Sequence, residues 1–162
     1  MKIWSLLSGA ATFIPGVSKL RAKGTGGTES ARYCYSVWLR HLVTAINNGL
    51  NPYPKVVAEL GPGDSLGIGI SALISGSEKY FALDVIRHAD TTRNLSIFYE
   101  LINLFKNKAP IPNEQEFPQV RPLLDDYKFP SHIFDDNRLK LSLDTKRLQH
   151  IKNSLERNQE DD

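Results

Sequence analysis

An α/β fold built on a parallel strand–helix–strand unit is predicted by three features of the 162-residue chain. Two short apolar runs with β-branched or aromatic residues, 55–60 and 79–85, flank a helix-like stretch over 66–75, and the whole spans about thirty residues, as a βαβ unit does. The first run passes directly into Gly61-Pro62-Gly63-Asp64-Ser65, a tight-turn signal. Helical periodicity on either side of the unit supplies the helices that a parallel sheet needs on its faces. Both runs therefore read as buried strands.

The other elements follow in chain order. Residues 1–14 form an apolar segment behind Lys2, and residues 15–28, rich in glycine and basic residues, read as a loop. A helix is expected after Thr28, its candidate N-cap, with Glu29 in the first turn and Tyr35, Trp38, Leu39, Leu42, Val43 and Ile46 at helical spacing down to Asn47-Asn48-Gly49. Asn51-Pro52-Tyr53-Pro54 breaks the chain before the first strand. Gly76 is a natural stop for the helix over 66–75. A further helix is expected over 94–106, capped by Thr92 or Asn94, with Leu95, Phe98, Tyr99, Leu101, Ile102 and Phe105 on its apolar face. Pro110, Pro112, Pro118, Pro122 and Pro130 then punctuate an irregular region. A last helix over 145–157 carries Leu148, Ile151 and Leu155, and residues 158–162 are expected to fray. This gives three stretches: an N-terminal loop and helical extension (1–54), the βαβ half (55–109), and a proline-rich and helical insertion (110–162).

Bulk composition narrows the class. With 41% hydrophobic and 23% charged residues the chain reads as one globular domain. A net charge of +2 gives no reason to expect nucleic acid as a partner. Basic residues concentrate in the first sixty, leaving a modest basic N-terminal face that favours an anionic acceptor or a peripheral membrane contact. Cys34 is the sole cysteine, so no intramolecular disulfide forms, and no zinc or thiol redox motif exists. The opening apolar run is interrupted by Ser5, Ser8, Gly9 and Thr12, lacks a small-x-small cleavage site and is too short to span a bilayer. A cytoplasmic location is expected, with no transmembrane segment. His41, His88, His132 and His150 have no ligand spacing, and no metal site is read.

Chemistry concentrates at Glu59-Leu60-Gly61-Pro62-Gly63-Asp64-Ser65, with Asp84 downstream. In a Rossmann-like unit, glycines at the turn let the backbone bend and let a ligand approach closely, and the following helix aims its N-terminus at that ligand. Asp84 stands 21 residues after Gly63, the position from which an acid reaches a ribose diol. A dinucleotide would set its pyrophosphate against the turn, where Glu59 and Asp64 would repel it. S-adenosylmethionine (SAM) carries an ammonium and a sulfonium and no phosphate, so the two acids favour it.

Those residues carry a family resemblance. Val57-Ala58-Glu59-Leu60-Gly61-Pro62-Gly63-Asp64-Ser65 resembles the first motif of the Rossmann-like (class I) SAM-dependent methyltransferases, and Ala82-Leu83-Asp84 resembles their second. Phe13-Ile14-Pro15-Gly16, Lys23-Gly24-Thr25-Gly26-Gly27-Thr28 and the run from Ala31 to His41 are similar to an uncharacterised bacterial branch of that family. The resemblance implies that Gly61 and Gly63 border the methionine part of SAM, with Pro62, Asp64 and Ser65 in the same turn. It further implies that Glu59 faces the ammonium through water and that Asp84, with Val85 beside it, binds the ribose. Ser65 departs from the motif where a third glycine is often found. The family's sheet continues beyond two strands, so the resemblance implies a partial Rossmann-like methyltransferase fold, its sheet incomplete and the chain ending before a third strand. The methyl acceptor (a small molecule, glycan or lipid precursor), the general base and the adenine pocket would lie mainly outside it.

Other readings compete. An NAD(P)-binding oxidoreductase fragment is the alternative enzyme, and a non-catalytic Rossmann-like interaction module is the alternative of another class. The glycines could serve the turn alone, Asp84 could cap the next segment, and the loop over 23–28 could cradle an anion. Tyr33, Tyr35, Trp38 and Cys34 read as packing residues.

Overall fold

The computed structural model describes residues 28–50, 53–85 and 90–157. Expectations for residues 1–27, for His88 and for the chain end lie outside them. The described residues form a mixed α/β structure with five helices and a two-stranded parallel sheet: α1 (Ala31–Asn47), β1 (Val56–Leu60), α2 (Gly67–Ile74), β2 (Lys79–Leu83), α3 (Thr91–Lys106), α4 (Asp136–Ser142) and α5 (Thr145–Arg157). The strand–helix–strand unit is as expected. Val56 pairs with Lys79 and the register runs in parallel to Leu60 opposite Leu83.

Helix boundaries follow the capping chemistry. Ser30, not Thr28, caps α1, its hydroxyl accepting from the Tyr33 amide at 3.4 Å. Asp90 caps α3 by accepting from the Arg93 amide at 2.9 Å, so that helix starts three residues before the expected Asn94. In both cases the cap side chain takes up the amide of the third helical residue and fixes the start, and Thr28 and Asn94, proposed from sequence, bond elsewhere. The short helix α4, capped by Asp135, was not expected; of its seven residues only Leu139 and Ser142 are buried, which leaves no periodic signal.

One core draws on all three sequence stretches. Tyr35, Leu39 and Leu42 of α1 meet Ile70 and Ile74 of α2, Phe98, Leu101 and Phe105 of α3, and Ile133 and Phe134 of the proline-rich segment. Tyr99, expected on the apolar face of α3, is half exposed. The segment between α3 and α4 is irregular, as expected, yet it is tied down by Arg40. That guanidinium is fully buried, donates to the Val120 and Pro112 carbonyls at 2.8 and 2.7 Å, and lies 5.1 Å from the Tyr127 ring centroid. Arg147 of α5 donates to the Leu73 and Ser77 carbonyls, closing the C-terminal end of α2.

The sheet differs from expectation in its burial. α2 packs against both strands, and Val57, Glu59 and Tyr80 turn towards it, each partly buried. Val56, Leu60, Phe81 and Leu83, on the opposite face or at its end, are 55, 82, 48 and 53% exposed. The strands are not buried on both sides: apolar composition records that a residue prefers cover, and among the described residues one face receives none. No described helix is long and apolar enough to cross a membrane.

Candidate functional site

The turn after β1 owes its course to two left-handed residues. Gly61 (φ +70°) and Gly63 (φ +74°) occupy a region that costs an L-residue about 1–2 kcal/mol. A Cβ at Gly61 would meet nothing within 4 Å, so backbone conformation rather than space demands glycine there. The Gly61 amide donates to the Leu83 carbonyl at 2.8 Å, extending the parallel ladder by one bond. That bond brings the turn and Asp84, the residue after Leu83, to the same carboxyl end of the sheet. Open α/β sheets bind ligands at that end.

Three amides of the turn leading into α2, the last of them that of its first residue, are engaged by side chains. Asp64 N–H donates to the Thr28 hydroxyl at 3.0 Å, Leu66 N–H to the Asn94 side-chain carbonyl at 2.9 Å, and Gly67 N–H to the Ser65 hydroxyl at 3.1 Å. The Ser65 hydroxyl in turn donates to the Thr28 carbonyl. The serine that departs from the glycine motif therefore ties the turn to the residues before α1. Asp64 is 7% exposed, and Arg93 donates to its backbone carbonyl at 3.2 Å while lying 3.7 Å from Glu29. Pro62 is buried beside it.

Glu59 is turned beneath the turn rather than out over it. Its Oε2 accepts from the Tyr80 hydroxyl at 2.6 Å, and the Tyr80 ring fills a notch beside Gly69, where a Cβ would overlap it. Burial raises the Glu59 carboxyl above its ordinary range and the Tyr80 bond draws it part of the way back. Tyr80 is itself pushed up, by burial first and then by Glu59. Cys34 lies behind this pair, its thiol pushed up to about 12 chiefly by burial, as suits a residue that fills space.

Asp84 is exposed, and its Oδ1 accepts from the Val85 amide at 2.7 Å. Val85, at 98% exposure, lies beyond the end of β2 and offers its side chain no packing. The structure thus gathers Gly61, Pro62, Gly63, Asp64, Ser65 and Asp84 at one end of the sheet and points Glu59 the other way. Two shallow grooves, of about 360 and 370 Å³, flank the proline-rich segment, and residues 59–65 and 84 line neither. Among the described residues no cluster of His, Cys, Asp and Glu could hold a metal ion.

Thr28, Asn94, Tyr80 and Arg93 were not singled out for the site from sequence. Asn94 left a legible trace: it is the lone amide on the stripe carrying Ile97, Phe98 and Leu101, and a buried amide there needs a partner. No family model matches the chain, and neither a curated protein nor a solved structure matches it.

Proposed function

We propose that the βαβ unit is the cofactor-binding part of a Rossmann-like SAM-dependent methyltransferase, with the adenosyl ligand seated at the carboxyl end of β1 and β2. The observation that carries this reading is the engagement of the Asp64, Leu66 and Gly67 amides by Thr28, Asn94 and Ser65. A dinucleotide sets its pyrophosphate against the amides of the turn and helix start, and three of those here are already committed. A ligand without phosphate makes no such demand. Asp84, exposed at the same end of the sheet, then provides a ribose acceptor and negative charge, from which a sulfonium ligand profits. Glu59 acts through Tyr80, by holding β2 against the underside of the turn, and contributes less direct charge than its place in the motif suggests.

In methyl transfer the protein's main contribution is to align the acceptor with the sulfonium carbon. Titration calorimetry tests the reading. SAM and its demethylated product should bind, and Asp84→Ala should weaken both by tenfold or more, since a hydrogen bond to a charged group contributes about 1.5–3 kcal/mol. Tighter binding of NAD than of SAM would overturn the proposal.

A further inference from the structure

Helix α2 begins at a residue that cannot cap it. Leu66 stands at its N-cap and makes no side-chain bond there, although serine, threonine, aspartate or asparagine is preferred at such a position. The acceptor comes from another element. Asn94, in the first turn of α3 and 28 positions further along the chain, accepts from the Leu66 amide at 2.9 Å and is 3% exposed. Arg93, its neighbour, donates to the Asp64 carbonyl at 3.2 Å. Two consecutive residues of α3 therefore hold the turn on either side of Ser65, one through an amide and one through a carbonyl.

The approach is close as well as bonded. A Cβ on Gly67 would stand 3.1 Å from Cγ2 of Ile97, which follows Asn94 on the same stripe of α3, so the first residue of α2 lies directly against that helix. At its other end the turn is tied by the bond from the Gly61 amide to the Leu83 carbonyl. The ladder bond fixes where the chain leaves β1, and α3 fixes where it enters α2. The course of Gly61 to Gly63 between those anchors depends on both, and a binding turn is only as exact as the residues that support it.

We infer that Asn94 is the positioning residue of the glycine turn, capping α2 from α3 and so holding Gly61 and Gly63 in the course that the ligand meets; the inference rests on the seating of an adenosyl ligand at that turn. Titration calorimetry with SAM on the native chain and its variants, together with amide hydrogen exchange at Leu66, tests it. Asn94→Leu keeps the shape and removes the acceptor, so affinity should fall about tenfold or more and exchange at Leu66 should quicken. Asn94→Asp keeps an oxygen for the amide, and the positive ends of α2 and α3 both favour its charge, so binding should stay within about threefold of the native chain. Ile102→Val, in the core of the same helix, loosens packing without touching the cap and should bind as the native chain does. Native affinity in Asn94→Leu would overturn the inference, as would equal losses in all three variants, which would mark Asn94 as one more core residue. If Asn94→Leu does not fold, Asn94→Ala, which also lacks the acceptor and crowds nothing, is read in its place. A native chain that binds neither SAM nor its demethylated product would sink the cofactor reading and the inference with it, a result distinct from failure in the variants alone.

Discussion

Burial and a single hydrogen bond act in opposite directions on Glu59, and burial is the larger effect. A carboxyl whose folded value is raised contributes stability that is complete below its ordinary value of 4.5 and is lost as pH rises through the folded value. Comparing the native chain with Glu59→Gln by urea denaturation over this window should therefore show the difference moving in favour of the native chain as pH falls. A difference that is flat, or that moves the other way, would mean the carboxylate is better solvated than its bond to Tyr80 implies. Gly61 yields a second residue-scale test. Because its φ of +70° rather than crowding requires glycine, Gly61→Ala should cost about 1–2 kcal/mol in urea denaturation without disturbing the core. The sequence made the glycines legible through their place after an apolar run, but the direction of the Glu59 side chain was not. That direction depends on the alternation of β1 and on a tyrosine 21 positions later.

Among the elements, α1 is the organiser of the irregular segment that follows α3. Arg40 gives the Pro112 and Val120 carbonyls their donors from within the core. Arg40→Met should destabilise the protein by about 1–2 kcal/mol, since the Pro112 and Val120 carbonyls each lose one charged donor and keep another, the Ser36 hydroxyl and Arg121 respectively; an unchanged stability in chemical denaturation would show that water replaces the guanidinium. Helices α1, α3 and α5 were legible because each is long enough to repeat an apolar stripe, whereas α4 turns too few residues inward to do so. Cap positions shifted for a local reason. Thr28 and Asn94 are chemically able to cap, but Ser30 and Asp90 win the amides, and the displaced pair reaches across to the start of α2 instead. Such long-range bonds have no signature in local spacing.

At the scale of the whole molecule, the three stretches separable by composition share one core, in which Phe105 and Phe134 pack edge to ring at 5.9 Å across the proline-rich segment. Thermal unfolding should therefore be a single transition, with near- and far-ultraviolet circular dichroism coinciding; separate melting of the βαβ half and the C-terminal helices would contradict this. Composition correctly marked the strands as apolar and misjudged how much of them is covered, because cover comes from elements whose packing a local window does not contain. The two hydrogen bonds that Thr28 accepts, from the Asp64 amide and the Ser65 hydroxyl, have a thermodynamic corollary. Whatever occupies the carboxyl end of the sheet and whatever holds the start of α1 are linked functions, so each must strengthen or weaken the other by an equal free energy. A ligand that tightens the loop should slow amide hydrogen exchange at the first turn of α1, and Thr28→Val should reduce that protection and the ligand's affinity together.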